Sequence, residues 1–377
     1  MRTSTSTMAV DARGLLSEDG LLTAPQIKAR ALHITLLLAA ANAIAITLLL
    51  VVGQSYPPLV PAGVLALSFG LRHAVDADHI AAIDNVTRRL IADGRQPLLT
   101  GLWFSLGHSS VVGLICLLTA FGSQYFQEHF KAAKGVGELV SQIVSAVVLF
   151  AIGTANLISL SGSCAQTRSG EGAGEHSHGG LFVRCCGGLL KTIDSEWKML
   201  LLGFLFGLGF ETSSEIALLA LAGMSPSQGI PPAATLLLPL LFATGMSLVD
   251  TLDGLLMSWA YGFAAKGGSG SGISAGRRRL FNLYLTATSS LIALVVGALE
   301  VLGCVQKARH LEGPFWLAVK DINDKFEYVG YAIIAFFAVS TLAALTLFTC
   351  PVACGHLSEK GASGSGCQGD YVRAEGA

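Results

Sequence analysis

Residues 71–80 read LRHAVDADHI, and the reading of this stretch decides the fold. Arg72, His73, Asp76, Asp78 and His79 crowd together here, while the flanking sequence is mostly Ala, Val, Leu, Ile, Gly and Phe. Outward from it, the chain of 377 residues is 52% hydrophobic and only 13% charged. A soluble domain carries about 25% charge, so roughly half the usual charge is missing, and what remains gathers between long apolar runs. At least six runs approach or exceed the ~20 residues that cross a bilayer as a helix. These features predict an all-α integral membrane protein with about eight transmembrane helices. A formal net charge of −1 leaves no basic footprint for nucleic acid.

The spans are expected near 31–52, 61–83, 98–121, 139–160, 199–222, 235–260, 280–304 and 328–350. That gives a flexible N-terminal tail (1–30), an eight-helix membrane domain (31–350) and a C-terminal tail (351–377). Asp11, Glu18 and Asp19, without a compact apolar segment before the first span, argue against a targeting peptide. Segments 161–198 and 264–279 contain Gly/Ser-rich runs and are expected to be flexible cytoplasmic loops. With the N-terminus inside, the inner segments hold 17 Lys and Arg and the outer ones 6, with Arg72 within a span. Positive residues favour the cytoplasmic side, so both termini are placed there. Eight cysteines occur with no C-x-x-C pair, so they read as reduced thiols rather than a zinc ribbon or redox site.

A charged side chain at membrane depth costs ~2.5–3.5 kcal/mol on insertion scales and is a functional candidate by default. Four clusters qualify, and they lie at matched depth: RHAVDADHI, LGHSS (106–110), LGFETSSE (208–215) and GMSLVDTLDG (245–254). On a regular helix His73, Asp76 and His79 share a face that includes Arg72, while Asp78 points nearly the opposite way. Asp78 therefore faces a different span unless the helix unwinds near Ala77. Glu211 and Glu215 sit one turn apart, as do Asp250 and Asp253, and AVDAD (74–78) is faintly echoed in LVDTLD (248–253). Imidazole with oxygen ligands suits borderline divalent ions such as Ni²⁺, Co²⁺, Zn²⁺ or Cu²⁺, and no cysteine in the clusters suggests a soft site. Duller readings stand beside these: an Arg–Asp pair with packing histidines, a hydrogen-bonded interior His108, and proton-relay or structural roles for the carboxylates. His176 and His178 read as part of a flexible loop.

Taken in order, RHAVDADHIAAIDN (72–85), FSLGHSSVV (104–112), LGFETSSE (208–215) and GMSLVDTLD (245–253) resemble the signature strings of the nickel/cobalt transporter (NiCoT) family of eight-span permeases. The resemblance implies secondary uptake of Ni²⁺ and/or Co²⁺, with the ion as substrate and no cofactor. By position it carries over His73, Asp76, Asp78, His79, His108, Glu215, Asp250 and Asp253. Glu211 departs from the Asp common in the family, keeping the charge but moving it by the length of a methylene. On this reading His73, Asp76, His79 and His108 are the metal ligands. Asp78, Glu211, Glu215, Asp250 and Asp253 surround them or line the ion path, and binding fails at acid pH as the imidazoles protonate. Arg72 is expected to pair with Asp76 or an acidic group of the fifth span until metal enters.

No G-x-x-x-x-G-K-[ST] loop is present, so neither a nucleotide nor a nucleic acid is an expected partner. The lipid bilayer, most simply the plasma membrane, is. A membrane potential of 100 mV is worth ~2.3 kcal/mol per charge, enough to draw in a divalent ion without proton coupling. Efflux, a broader Zn²⁺/Mn²⁺ range, a membrane metal sensor and an intramembrane metalloenzyme are the rival readings. The last lacks H-E-x-x-H or clustered His boxes.

Overall fold

The computed structural model describes residues 24–121, 139–158, 160, 194–208, 213–266 and 275–349, and among these the regular structure is entirely helical. We number the principal helices α1 (Ala24–Gly53), α2 (Leu59–His73), α3 (Ala77–Ala92), α4 (Thr100–Phe121), α5 (Leu139–Ile158), α6 (Met199–Phe206), α7 (Ser213–Met224), α8 (Leu237–Lys266), α9 (Ala275–Arg309), α10 (Pro314–Asp324) and α11 (Phe326–Thr349). Residues 1–23, the C-terminal tail, the loop with His176 and His178, and Glu211 lie outside the described residues, whereas 24–30, expected in the N-terminal tail, form the first turns of α1.

Among the described residues six helical stretches are long and apolar enough to cross a membrane singly, and α2 with α3, bent by 52°, makes a seventh candidate. The segment expected as the fifth of eight spans is present as α6 and α7, of 8 and 12 residues. Neither reaches the ~20 residues of a full span by itself. Lipid-facing positions carry exposed Leu, Ile and Val, such as Leu36, Leu37 and Leu50 on α1. In water that would be a costly surface; in hydrocarbon it is the ordinary one. The chain is a multi-pass integral membrane protein.

The helix α8 runs through the centre, packed on α1, α2, α3 and α4, and α4 in turn packs on α6. The α4–α6 approach depends on small residues, because a Cβ on Gly107 would meet the backbone of Leu200 and one on Gly203 the backbone of Phe104. Without a hydrophobic drive between helices in lipid, such close backbone contact is a main source of association. Ser105 Oγ donates to Ser247 Oγ at 3.0 Å, tying α4 to α8 at the same level.

The bend between α2 and α3 matches the alternative to one regular helix over 61–83, an unwinding near Ala77. Val75 N–H donates to Arg72 and Asp76 N–H to His73, both tight i to i−3 turns. Asp76 then turns extended (φ −63°, ψ 142°) as the N-cap of α3, and its carbonyl accepts from Ile80 N–H at 3.2 Å. The break is at Ala74–Asp76, just ahead of Ala77. Val75 O lies against Gly330 of α11, where any Cβ would collide with it. The echo between AVDAD and LVDTLD has no counterpart in shape, since α8 continues unbroken through 248–253.

Candidate metal centre

The centre is built around the α2–α3 junction, with the end of α6 and the start of α7 beside it. His73 closes α2, Asp76 caps α3, and Asp78 and His79 fall in the first turn of α3. Beside the junction, α6 ends at Phe206, and Glu215 lies in the first turn of α7. The partial positive charge of a helix N-terminus stabilises carboxylates in its first turn, which accounts for Asp78 and Glu215 at these positions. The carbonyl end of α2 carries the opposite partial charge and favours a cation. His108 from the middle of α4 and Asp250 from the middle of α8 complete the cluster.

His73, His79 and His108 are buried, each offering a ring nitrogen within 4.8 Å of the others. Ring centroids are 4.7 Å apart for His73–His79 and His73–His108, and 4.9 Å for His79–His108. Nε2 of His73 and Nε2 of His108 approach to 2.8 Å, a contact that requires a proton on one of them. Glu215 Oε1 lies 2.9 Å from His108 Nε2 and 3.7 Å from His73 Nε2. Two imidazoles on one zinc-sized ion sit roughly 3.3 Å apart at metal–nitrogen bonds near 2.0–2.1 Å. An ion would therefore replace the His73–His108 hydrogen bond and spread the rings slightly. Phe104, Phe206 and Phe242 wall the rings on the apolar side.

The carboxylates divide into those that touch the imidazoles and those that stand back. Asp76 Oδ2 is 3.0 Å from His73 Nδ1, although Asp76 makes no side-chain bond to the helix it caps. Its carboxylate is thus turned away from capping and toward the ring. Asp250 Oδ1 stands 3.7 Å from His79 Nδ1, and neither Asp250 oxygen has a hydrogen-bond partner among the described residues. Asp253, one turn further along α8, is buried with both oxygens likewise without one. Asp78 lines the same cavity of about 240 Å³ as the three histidines and is only partly buried. His73, Asp76, Asp78, His79, His108, Glu215 and Asp250 are therefore gathered in one place, although the regular face expected for His73, Asp76 and His79 does not exist.

Arg72 pairs with Glu327 at the start of α11, not with Asp76 or an acidic group of the fifth span as expected. Its charge is thereby met by a carboxylate, which offsets the repulsion a cation site would otherwise meet. Glu327 escaped sequence reading because it stands at the very border of the last apolar run.

A model of a family described as "High-affinity nickel-transport protein" (NicO) matches residues 59–347, the whole stretch that builds this centre. The chain belongs to this family. Among curated relatives of this NicO chain, a high-affinity nickel transport protein of Cupriavidus necator is 39% identical over 304 residues, covering 78% of this chain and 85% of that one. The nickel transporter NixA of Staphylococcus aureus is 38% identical over 309 residues, 80% of this chain and 89% of its own. A cobalt transport protein, NhlF of Rhodococcus rhodochrous, is 36% identical over 301 residues, 76% and 82% of the two chains. No solved structure matches this NicO member significantly.

A second polar layer, not singled out from the sequence, lies further along α3 in the NicO chain. Asn85 Nδ2 donates to Ser289 O at 3.3 Å and to Ala81 O at 2.8 Å, and its Oδ1 accepts from Asn156 at 2.8 Å. Ser289 Oγ donates to Asp84, Arg88 reaches Thr286 Oγ1 at 3.4 Å, and the Thr87 and Thr100 hydroxyls pair at 2.8 Å. The string IDN inside RHAVDADHIAAIDN, followed by Arg88, was the available signal.

Proposed function

We propose that the protein imports Ni²⁺ and/or Co²⁺ across the plasma membrane as a secondary transporter, not an enzyme. The ion would be held mid-membrane by His73, His79 and His108 with Asp76. The observation that carries this reading is the buried triad of imidazoles, which converges at the α2–α3 break. Structural histidines have no need of such convergence, whereas a borderline divalent ion does. Glu215, Asp78 and Asp250 offset the charge of the ion, and Asp250 orients His79 from outside the ligand set, as such carboxylates commonly do. The named functions of the relatives, nickel transport in two cases and cobalt transport in the third, support the same substrate class.

Interrupted helices at the bilayer midplane are the common device of secondary transporters. They supply polar ends without a full lipid-exposed loop. Import follows from the membrane potential: a divalent ion moving inward across 100 mV gains about 4.6 kcal/mol, twice the ~2.3 kcal/mol of a single charge. The test is flux of Ni²⁺ and Co²⁺ into proteoliposomes at imposed potentials, negative inside. Saturable uptake is expected in the native protein and none in His73→Ala or Asp76→Asn, both still folded. Normal uptake in both variants would refute the site, and flux only against the potential gradient would refute the direction.

A further inference from the structure

The cavity that holds the imidazoles extends well beyond them. Its far part is lined by Gln142 and Ser145 of α5, Glu300 of α9, Asn323 of α10 and Glu327 of α11, with exposed Lys307 and Asp324 further out. By the alternation of the spans, this part lies toward the membrane face that carries the α1–α2 and α9–α10 turns. Six carboxylates line the whole cavity (Asp76, Asp78, Glu215, Glu300, Asp324 and Glu327) against one ammonium, Lys307. The path is built for cations along its length, not only at the histidines.

One level along it is organised. Ser145 Oγ donates to Glu300 Oε1 at 2.7 Å, fixing a carboxylate that is 5% exposed. Gln142, one turn before Ser145, is 4% exposed, and its carbonyl oxygen has no hydrogen-bond partner among the described residues. A buried acceptor left open beside a fixed carboxylate in a cavity is what a cation or its water shell satisfies. All the groups here are oxygens, with no imidazole or thiolate, so they suit an ion that still carries water rather than one bound directly by borderline ligands.

We propose that Glu300, Gln142 and Ser145 form a second cation site, an outer station that receives the hydrated divalent ion before it passes to the histidines. Its place in the transport path rests on the import reading above; its existence does not. Carboxylate and amide oxygens accept hydrogen bonds from coordinated water, and the ion loses that water only on reaching the imidazoles. Lys307, seven residues beyond Glu300 on α9, stands about 10 Å further out along the helix.

Hexaamminecobalt(III) tests this, because it keeps its six ammine ligands and so mimics a hydrated ion that cannot bind imidazole. Calorimetric titration of the purified full chain is expected to show binding that is the same in His79→Ala. In Glu300→Gln it should be weaker by about tenfold, the loss of one charge-assisted hydrogen bond. Ser145→Ala and Gln142→Ala keep the buried charge and should each weaken it several-fold, so they carry the test if Glu300→Gln does not fold. Absence of binding, equal weakening in His79→Ala, or unchanged binding in the folded station variants would overturn the proposal. Vesicles that take up no Ni²⁺ would sink the import reading and leave the station standing. Normal uptake with hexaamminecobalt(III) affinity untouched by the station variants would sink the station alone.

Discussion

The first turn of α3 and the two turns that follow it place the same kinds of side chain in the same membrane, yet they are satisfied differently. From Asp84 to Arg88 each polar side chain has at least one partner in the protein: Asp84 in Ser289, Asn85 in Asn156 and Ser289, Thr87 in Thr100, Arg88 in Thr286. Around Asp76 and His79 they converge on one another from five helices, α2, α3, α4, α7 and α8. Nδ1 of His79, Nδ1 of His108 and both oxygens of Asp250 lack hydrogen-bond partners among the described residues. A polar group in hydrocarbon is costly unless matched. Pairing with neighbouring helices away from the cavity marks structural glue; convergence with open positions beside the cavity marks a place for something that comes and goes.

That contrast can be broken most forcefully at the imidazoles. Removing one by His73→Ala or His108→Ala is expected to lower Ni²⁺ affinity by more than about a hundredfold, above the 10–100-fold range typical of partners outside a ligand set. Fold should be retained, as checked by equilibrium binding together with size-exclusion behaviour. Asp250→Asn should fall inside that range, about tenfold or more, measured the same way. A loss as large as that of a histidine would move Asp250 into the ligand set.

Arg72→Gln leaves Glu327 buried without its guanidinium. Its effect should be a change in the KM of uptake on the order of fivefold, between the values of exposed and buried pairs. The exchange Arg72→Glu with Glu327→Arg should restore it. In the lower layer the outcome reverses in kind: a double-mutant cycle of Asn85→Ala and Asn156→Ala should give a coupling of ~0.6 kcal/mol, and at most about 1.7. It would be read from unfolding in mixed micelles, with Ni²⁺ affinity unmoved. A clear change in affinity there would erase the distinction between the layers.

Much of this arrangement is legible in the residues. Apolar run length alone gives the helical membrane architecture, because lipid forbids unpaired backbone and leaves few alternatives. The imidazole and carboxylate set is legible too, since each charged group inside a span must have a reason. The break at Ala74–Asp76 is not obvious: LRHAVDADHI holds neither proline nor glycine, the usual punctuation. Asp76 ahead of an acidic first turn is a helix-start signal, but it was overshadowed by the regular spacing of His73, Asp76 and His79. The Arg72–Glu327 pair was out of reach because it joins residues 255 positions apart. Local periodicity carries no information about which distant helix end will lie beside which.

The central claim is that one divalent ion is held by imidazoles drawn from both sides of the α2–α3 break and from α4. X-ray absorption at the nickel edge of the loaded, purified protein tests it most directly. The expected spectrum has a nitrogen and oxygen first shell, no sulfur, and the multiple-scattering signature of three histidines, reduced to two in His108→Ala. Sulfur in the shell, or a histidine count that His108→Ala leaves unchanged, would contradict it.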